Sequence, residues 1–194
     1  MKYSVIKNGN LDSGVLVTLD GQDVVVSEKR LLGLSRNCKL KISAGLLNKR
    51  MAGGYEDYPI RVSASREGQV LLALSQGGFA CIDVTSGVCV RKDSFVCCEA
   101  SVDPVEFLLS GNFLISQGSG KMIISPSSPF FKLRVPYGEE IFVLRDSIVV
   151  WEGKQIESLK QALVKLDDSM SVILSEANSD GGMVWFMNFA EVEG

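Results

Sequence analysis

The sequence predicts a mainly β protein: a β-sandwich or barrel of short antiparallel strands with internal pseudo-threefold repeats, and one short helix near residues 156–166. Three observations carry this. Apolar runs of strand length, alternating or continuous, recur along the chain. Glycine is abundant, 19 of 194 residues against an average usage of about 7%. It falls between the runs, often in pairs (Gly53-Gly54, Gly77-Gly78, Gly181-Gly182), as tight turns with positive φ require. The third observation is a repeated two-part motif, described below. With 194 residues, 46% of them apolar, the chain is expected to form a single domain over 1–194 that buries a core without disulfide or metal staples.

The individual elements follow from periodicity. Lys39–Ser43 and Phe131–Val135 alternate polar and apolar residues, as half-buried strands do. Val70–Leu74 and Ser147–Trp151 are nearly continuous apolar runs bounded by turn residues, which suits strands buried on both faces. One segment departs from this. Ile156, Leu159, Leu163 and Leu166 fall at offsets 0, 3, 7 and 10, with Lys154, Lys160 and Lys165 between and around them. That spacing predicts an amphipathic helix of about three turns, capping an open end of the sheet through one apolar stripe.

The repeat has two halves. Gly68–Ser75, Gly120–Pro126 and Gly182–Met187 each read glycine, a variable residue, then an apolar run. Ser86–Glu99 lines up with Gly138–Glu152 through a shared basic-Asp-Ser-apolar-Val-x-x-Glu core, and Asp20–Glu28 is a degenerate third copy. The order of the halves predicts that the two termini meet, each supplying part of one repeat, and that three similar sheets surround one core. Closing sheets on one another also removes exposed edges.

The stretches Gly53-Gly-Tyr55, Glu67–Ala73, Asp93–Val96, Gly111–Gly120, Gly138-Glu139 and Gly181–Trp185 resemble the altered-inheritance-of-mitochondria protein 24 family, whose domain is grouped with tryptophan RNA-binding attenuation protein-like folds. The likeness spans about residues 14 to 190 and rests on glycine and apolar patterns. It implies a β-sandwich or barrel of pseudo-threefold repeats with no established enzymatic activity. In place of the family's usual Gly-Pro-Gly, this chain has Asp180-Gly-Gly182.

Several chemistries are excluded outright. There is no histidine, so Ser-His-Asp and Cys-His nucleophiles, histidine zinc sites and the facial triad are impossible in this chain. Gly118-Ser-Gly-Lys121 departs from a phosphate loop: Ile115 stands where the first glycine belongs, Met122 follows the lysine, and a strand follows where a helix is needed. It reads as a hairpin turn. Glu139-Glu140 would point to opposite faces of a strand, and Asp167-Asp168 reads as a solvated turn after the helix; Glu56-Asp57 nominates no site. No catalytic, cofactor-binding or metal-ligating residue is therefore assigned, and no cofactor is expected. Cys97-Cys98 aligns with Val150-Trp151 in the repeat, which points to packing rather than redox chemistry.

Partners are read from charge. The net charge is −3, and Lys49-Arg50, Arg91-Lys92 and Lys132/Arg134 are scattered. DNA binding is not expected, and RNA binding is a weak alternative because a basic stripe with stacking aromatics is missing. No apolar run approaches the roughly 18 residues of a membrane helix, which leaves peripheral membrane association open. No secretory or transit signal is read at the N-terminus, and five cysteines without a Cys-x-x-Cys fit a reducing compartment. The expectation is a cytoplasmic, non-enzymatic interaction or scaffold protein forming a homo-oligomer. The alternative is a small-ligand-binding β module.

Overall fold

The computed structural model describes residues 1–41, 59–106, 112–135, 138, 140–152, 163–167 and 171–175. It is mainly β. Strand β1 (Lys2–Asn8) precedes three consecutive units of like construction. Unit I comprises β2 (Leu11–Asp20), β3 (Val24–Ser27), a 3-10 turn (Glu28–Arg30), β4 (Leu31–Leu34), β5 (Cys38–Lys41), β6 (Pro59–Ala64) and β7 (Glu67–Ala73). Unit II comprises β8 (Ala80–Val84), β9 (Cys89–Arg91), a 3-10 turn (Lys92–Ser94), β10 (Phe95–Glu99), a second turn (Ala100–Val102), β11 (Pro104–Glu106), β12 (Phe113–Ser116) and β13 (Gly120–Ile124). Unit III comprises β14 (Phe130–Arg134), β15 (Glu140–Leu144), a 3-10 turn (Arg145–Ser147), β16 (Ile148–Glu152), β17 (Leu163–Asp167) and β18 (Ser171–Ser175).

The threefold repetition is visible in backbone detail. The residues entering the three equivalent turns, Ser27, Arg91 and Leu144, have φ/ψ of −68/128°, −68/131° and −66/129°. Each turn closes the same way: the N–H of Leu31, Phe95 and Ile148 donates to the carbonyl of Glu28, Lys92 and Arg145. The strand that follows carries the same β-bulge each time. Leu31, Gly33 and Leu34 face Leu72, Leu71 and Val70. Phe95, Cys97 and Cys98 face Ile124, Ile123 and Met122. Ile148, Val150 and Trp151 face Leu174, Ile173 and Val172. A bulge that skips one residue at the same place in all three units re-aims the following side chains identically.

Each large sheet joins two units. One six-stranded sheet runs β5-β6-β3-β10-β13-β8, with units I and II meeting at β3 and β10; the other runs β11-β12-β9-β16-β18-β14, with units II and III meeting at β9 and β16. The remaining strands form a four-stranded sheet, β1-β2-β7-β4, and a two-stranded one, β15-β17.

Because residues alternate across a strand, a sheet buried on both faces serves two cores. The described residues form three clusters rather than the one core expected. Val15, Val17, Val26, Val62, Val70 and Cys97 pack between the four-stranded sheet and the first six-stranded sheet. Val25, Phe95, Cys98, Val90, Leu114 and Val149 pack between the two six-stranded sheets. Phe113, Ile148, Trp151, Val172 and Leu174 pack with Val143 of β15.

The structure corrects further expectations. Leu163–Leu166 is strand, paired with β15 through Leu144↔Leu163, Val143↔Val164, Phe142↔Lys165 and Ile141↔Leu166. The remainder of the expected helix, 156–162, lies outside the described residues. The i, i+3 spacing of two leucines fits either structure, and a strand edge at β15 decided it. The copies at Asp20–Glu28 and Gly68–Ser75 fall within one unit of consecutive strands; the expected meeting of the two termini involves residues 176–194, which lie outside the described residues. The third apolar run at the central position is Val172–Leu174 of β18; Gly182–Met187 lies outside the described residues. In unit I the turn is Glu28–Arg30, so Leu34 rather than Ser27 matches Cys98 and Trp151. The shift was hidden because unit I carries Lys29-Arg30 where the other turns carry Asp-Ser.

Candidate functional site

The positions singled out by sequence are mostly spent on structure. Cys97 and Cys98 are both fully buried, and alternation sends them into different cores. Burial, then the neighbouring Cys81, pushes the Cys97 thiol far up; burial also raises Cys98, followed by the charges of Cys97, Asp103 and Glu99. Cys89 is pushed by burial up to about 11. Buried thiols held protonated in this way are poor nucleophiles at neutral pH. All five cysteines are unpaired thiols, and only Cys38 and Cys81 are partly accessible. We expect an aromatic disulfide reagent at pH 8 to label at most those two in the folded protein and all five in denaturant; rapid native labelling of Cys97 or Cys98 would contradict the packing role.

Gly118-Ser-Gly-Lys121 is a link between sheets rather than a hairpin, since β12 and β13 pair with other strands. Its entry is held by backbone bonds: the N–H groups of Gln117 and Gly118 donate to the Val102 carbonyl at 3.1 and 2.9 Å. The Lys121 N–H donates to Glu99 Oε2 at 2.8 Å. A carboxylate already occupies the place an anion would take, so the loop is no phosphate cradle. Glu99 also accepts from the Met1 ammonium group. Burial would raise its carboxyl, but these hydrogen bonds outweigh burial and hold it below the usual carboxylate range.

The other candidates do not converge. Asp167 ends β17 opposite Glu140, so what it directly follows is strand. Glu56-Asp57, Glu139 and Asp168, together with Lys49-Arg50, lie outside the described residues. Among the described residues no group of three or more Cys, Asp or Glu is placed to hold a metal ion. A cleft lined by Met1, Thr18, Gln22, Asp23 and Glu99 has room for about one water. Phe131, Lys132 and Arg134 are exposed on β14, whereas Arg91 is buried.

Arg91 and Arg30 instead join the units. Arg30 donates from Nη2 to the Asp93 carbonyl at 2.6 Å and from Nη1 to Ser75 Oγ at 2.6 Å. Arg91 donates from Nη1 to the Asp146 carbonyl and from Nε to Asp93 Oδ1 at 3.0 Å. The first turn is thus tied to the second by the Arg30 guanidinium, and the second to the third by that of Arg91. Arg30 had no local signal in the sequence, because its partners lie about 45 and 63 residues away.

The feature with the character of a contact surface is the hairpin β1–β2, also missed by sequence reasoning. β1 stands outside the threefold units and pairs with β2 from Lys2↔Thr18 to Asn8↔Leu11. It ends the four-stranded sheet. Nearly all of it is exposed on both faces. Tyr3 and Ile6 are 38% and 41% exposed, and Leu11 at the turn is 61% exposed. Tyr3 is steadied by an edge-to-face contact with Phe79, centroids 6.3 Å apart. Burial, and then Cys81 beside it, raises the Tyr3 hydroxyl, which stays neutral. Lys2 and Lys7 flank the apolar residues, a pattern that limits indiscriminate edge pairing.

Comparison with known proteins places this architecture. The model of a family described as mitochondrial biogenesis AIM24 matches residues 6–184. No curated protein matches. The fold is similar to the crystal structure of a protein from Streptococcus pyogenes, with a TM-score of 0.68 at 13% identity, covering 90% of this chain and 92% of that one. No described helix is long and apolar enough to cross a membrane.

Proposed function

The chain belongs to the mitochondrial biogenesis AIM24 family, and from that premise we propose that it is a non-enzymatic interaction protein, a cytoplasmic scaffold that assembles with copies of itself. The observation that carries this is β1: a seven-residue strand added to the threefold frame, whose outer edge is unpaired among the described residues and which has exposed Tyr3, Ile6 and Leu11 beside it. An open edge presents a row of backbone donors and acceptors, and a second copy of the same strand satisfies them in antiparallel pairing about a twofold axis. Exposed apolar side chains beside the edge add burial at roughly 25 cal/mol per Å2 of surface removed from water. The cores between the sheets are filled by aliphatic side chains, which favours this reading over a ligand module that would need a pocket of a few hundred Å3.

Native mass spectrometry across a concentration series tests it. A defined oligomer is expected, and the double variant Ile6→Asp with Leu11→Asp is expected to weaken association at least tenfold with an unchanged unfolding midpoint. A monomer at all concentrations, or assembly indifferent to both charges, would sink the reading.

A further inference from the structure

The first strands of the three units, β2, β8 and β14, hold equivalent places, each paired with the same element of its own unit: β7, β13 and β18. The registers match Val15, Leu16, Val17 and Thr18 of β2 with Phe131, Lys132, Leu133 and Arg134 of β14. The outer edge of β2 is covered by β1, which sets Val5 opposite Val15, Ser4 opposite Leu16, Tyr3 opposite Val17 and Lys2 opposite Thr18. Among the described strands, β8 and β14 instead end their sheets.

These two sheet ends differ in charge. The one charged residue of β8, Asp83, lies opposite Lys121 of β13, so its neighbour balances it. On β14, Lys132 lies opposite Ile173 and Arg134 opposite Ser171. β18 carries no charged residue. Both cations are exposed, in a protein whose net charge is −3. The apolar positions of β2 and β14 differ too. Val15 and Val17, flanked by β1 and β7, are fully buried, whereas Phe131 is 45% exposed and Leu133 is half-buried.

We infer that the outer edge of β14 is a docking site for an extended peptide strand in which acidic and apolar residues alternate. The place is the one β1 takes on β2, and the register of β1 sets the pattern. Running antiparallel to β14, the incoming strand carries an acid opposite Arg134, an apolar residue opposite Leu133, an acid opposite Lys132 and an apolar residue opposite Phe131. Backbone groups of the edge supply affinity, and the alternating side chains supply selection. Opposite charges facing one another across an antiparallel pair are favourable and like charges are not. A second copy of β14 would bring cations against cations, so this edge selects a different partner and is separate from the self-assembly assigned to β1. A single-stranded nucleic acid would meet the cations, but its sugar-phosphate backbone cannot continue the hydrogen-bond ladder.

Fluorescence anisotropy on the full-length protein tests this with three labelled peptides, centred on Glu-Val-Glu-Val, Ser-Val-Ser-Val and Lys-Val-Lys-Val. The acidic peptide is expected to bind about fivefold or more tightly than the neutral one, with an affinity that falls as salt rises. The basic peptide should bind more weakly than either. Lys132→Glu combined with Arg134→Glu, both at exposed positions, is expected to reverse the order of the acidic and basic peptides at an unchanged unfolding midpoint. Hydrogen exchange of the unaltered protein should slow in Phe130–Arg134 when the acidic peptide is bound. Equal affinity for the three peptides, binding of none, or slowed exchange confined to Lys2–Asn8 or Cys38–Lys41 would overturn the proposal. So would tighter binding of an oligouridylate than of the acidic peptide.

Discussion

Trp151→Ala is expected to destabilise the protein by about 3–5 kcal/mol, the usual cost of emptying a buried aromatic site. Trp151 is 1% exposed and packs with Ile148, Phe113 and Leu174. It also lies on the strand where units II and III join, opposite Cys89 and Val172. A cavity there loosens two units at once. Trp151→Phe should behave differently. The indole Nε1 is buried without a hydrogen-bond partner among the described residues, and an unpaired buried donor costs about 1–3 kcal/mol. Phenylalanine removes that donor while keeping most of the ring, so the two terms oppose. Urea unfolding midpoints should place Trp151→Phe within about 1 kcal/mol of the natural protein. Equal damage from both substitutions would show that the indole nitrogen is satisfied after all.

Gly118→Ala is the second large effect. A Cβ at this position would lie 2.0 Å from the Ser101 carbonyl oxygen. That oxygen belongs to the backbone of the turn Ala100–Val102, and the loop is itself held by hydrogen bonds to Val102 and Asp103. Neither side can yield as a flexible side chain would, so at least the 1–3 kcal/mol typical of overpacking is expected. Gly21→Ala serves as the contrast. Gly21 has φ of +67° but open space around its missing Cβ, so only the left-handed backbone strain of about 1–2 kcal/mol applies. If Gly118→Ala unfolds at the same denaturant concentration as Gly21→Ala, the close approach of the two chains is not a constraint on the fold.

These two sites show what kind of information local sequence carries. Ser147–Trp151 reads as a strand buried on both faces, and every residue of Ile148–Trp151 is buried. Val70–Leu74 reads the same way, yet Leu71 and Ala73 are only half-buried, because β7 belongs to the outer four-stranded sheet. The candidate contact surface was less legible. Lys2–Asn8 is too polar to announce itself as a strand, and it forms one because β2 offers it an edge. Arg30 and Arg91 look like surface cations in sequence, and their binding to carbonyls of the next unit depends on three turns meeting in space.

The sequence by itself determined that this is a β protein, that it is built from repeats, and that histidine chemistry is closed to it. Those conclusions rest on alternation, glycine spacing and composition, which are properties of the chain taken a few residues at a time. Only the tertiary structure decided how the repeats interlock. Whether Leu163–Leu166 became helix or strand was settled by the hydrogen-bonding edge of β15, about 20 residues earlier in the chain. Val172–Leu174 holds the central place in unit III through pairing with β14 on one side and β16 on the other, both of them earlier in the chain and outside any local pattern. Backbone pairing and packing across units are many-body outcomes, and no window of the sequence contains them.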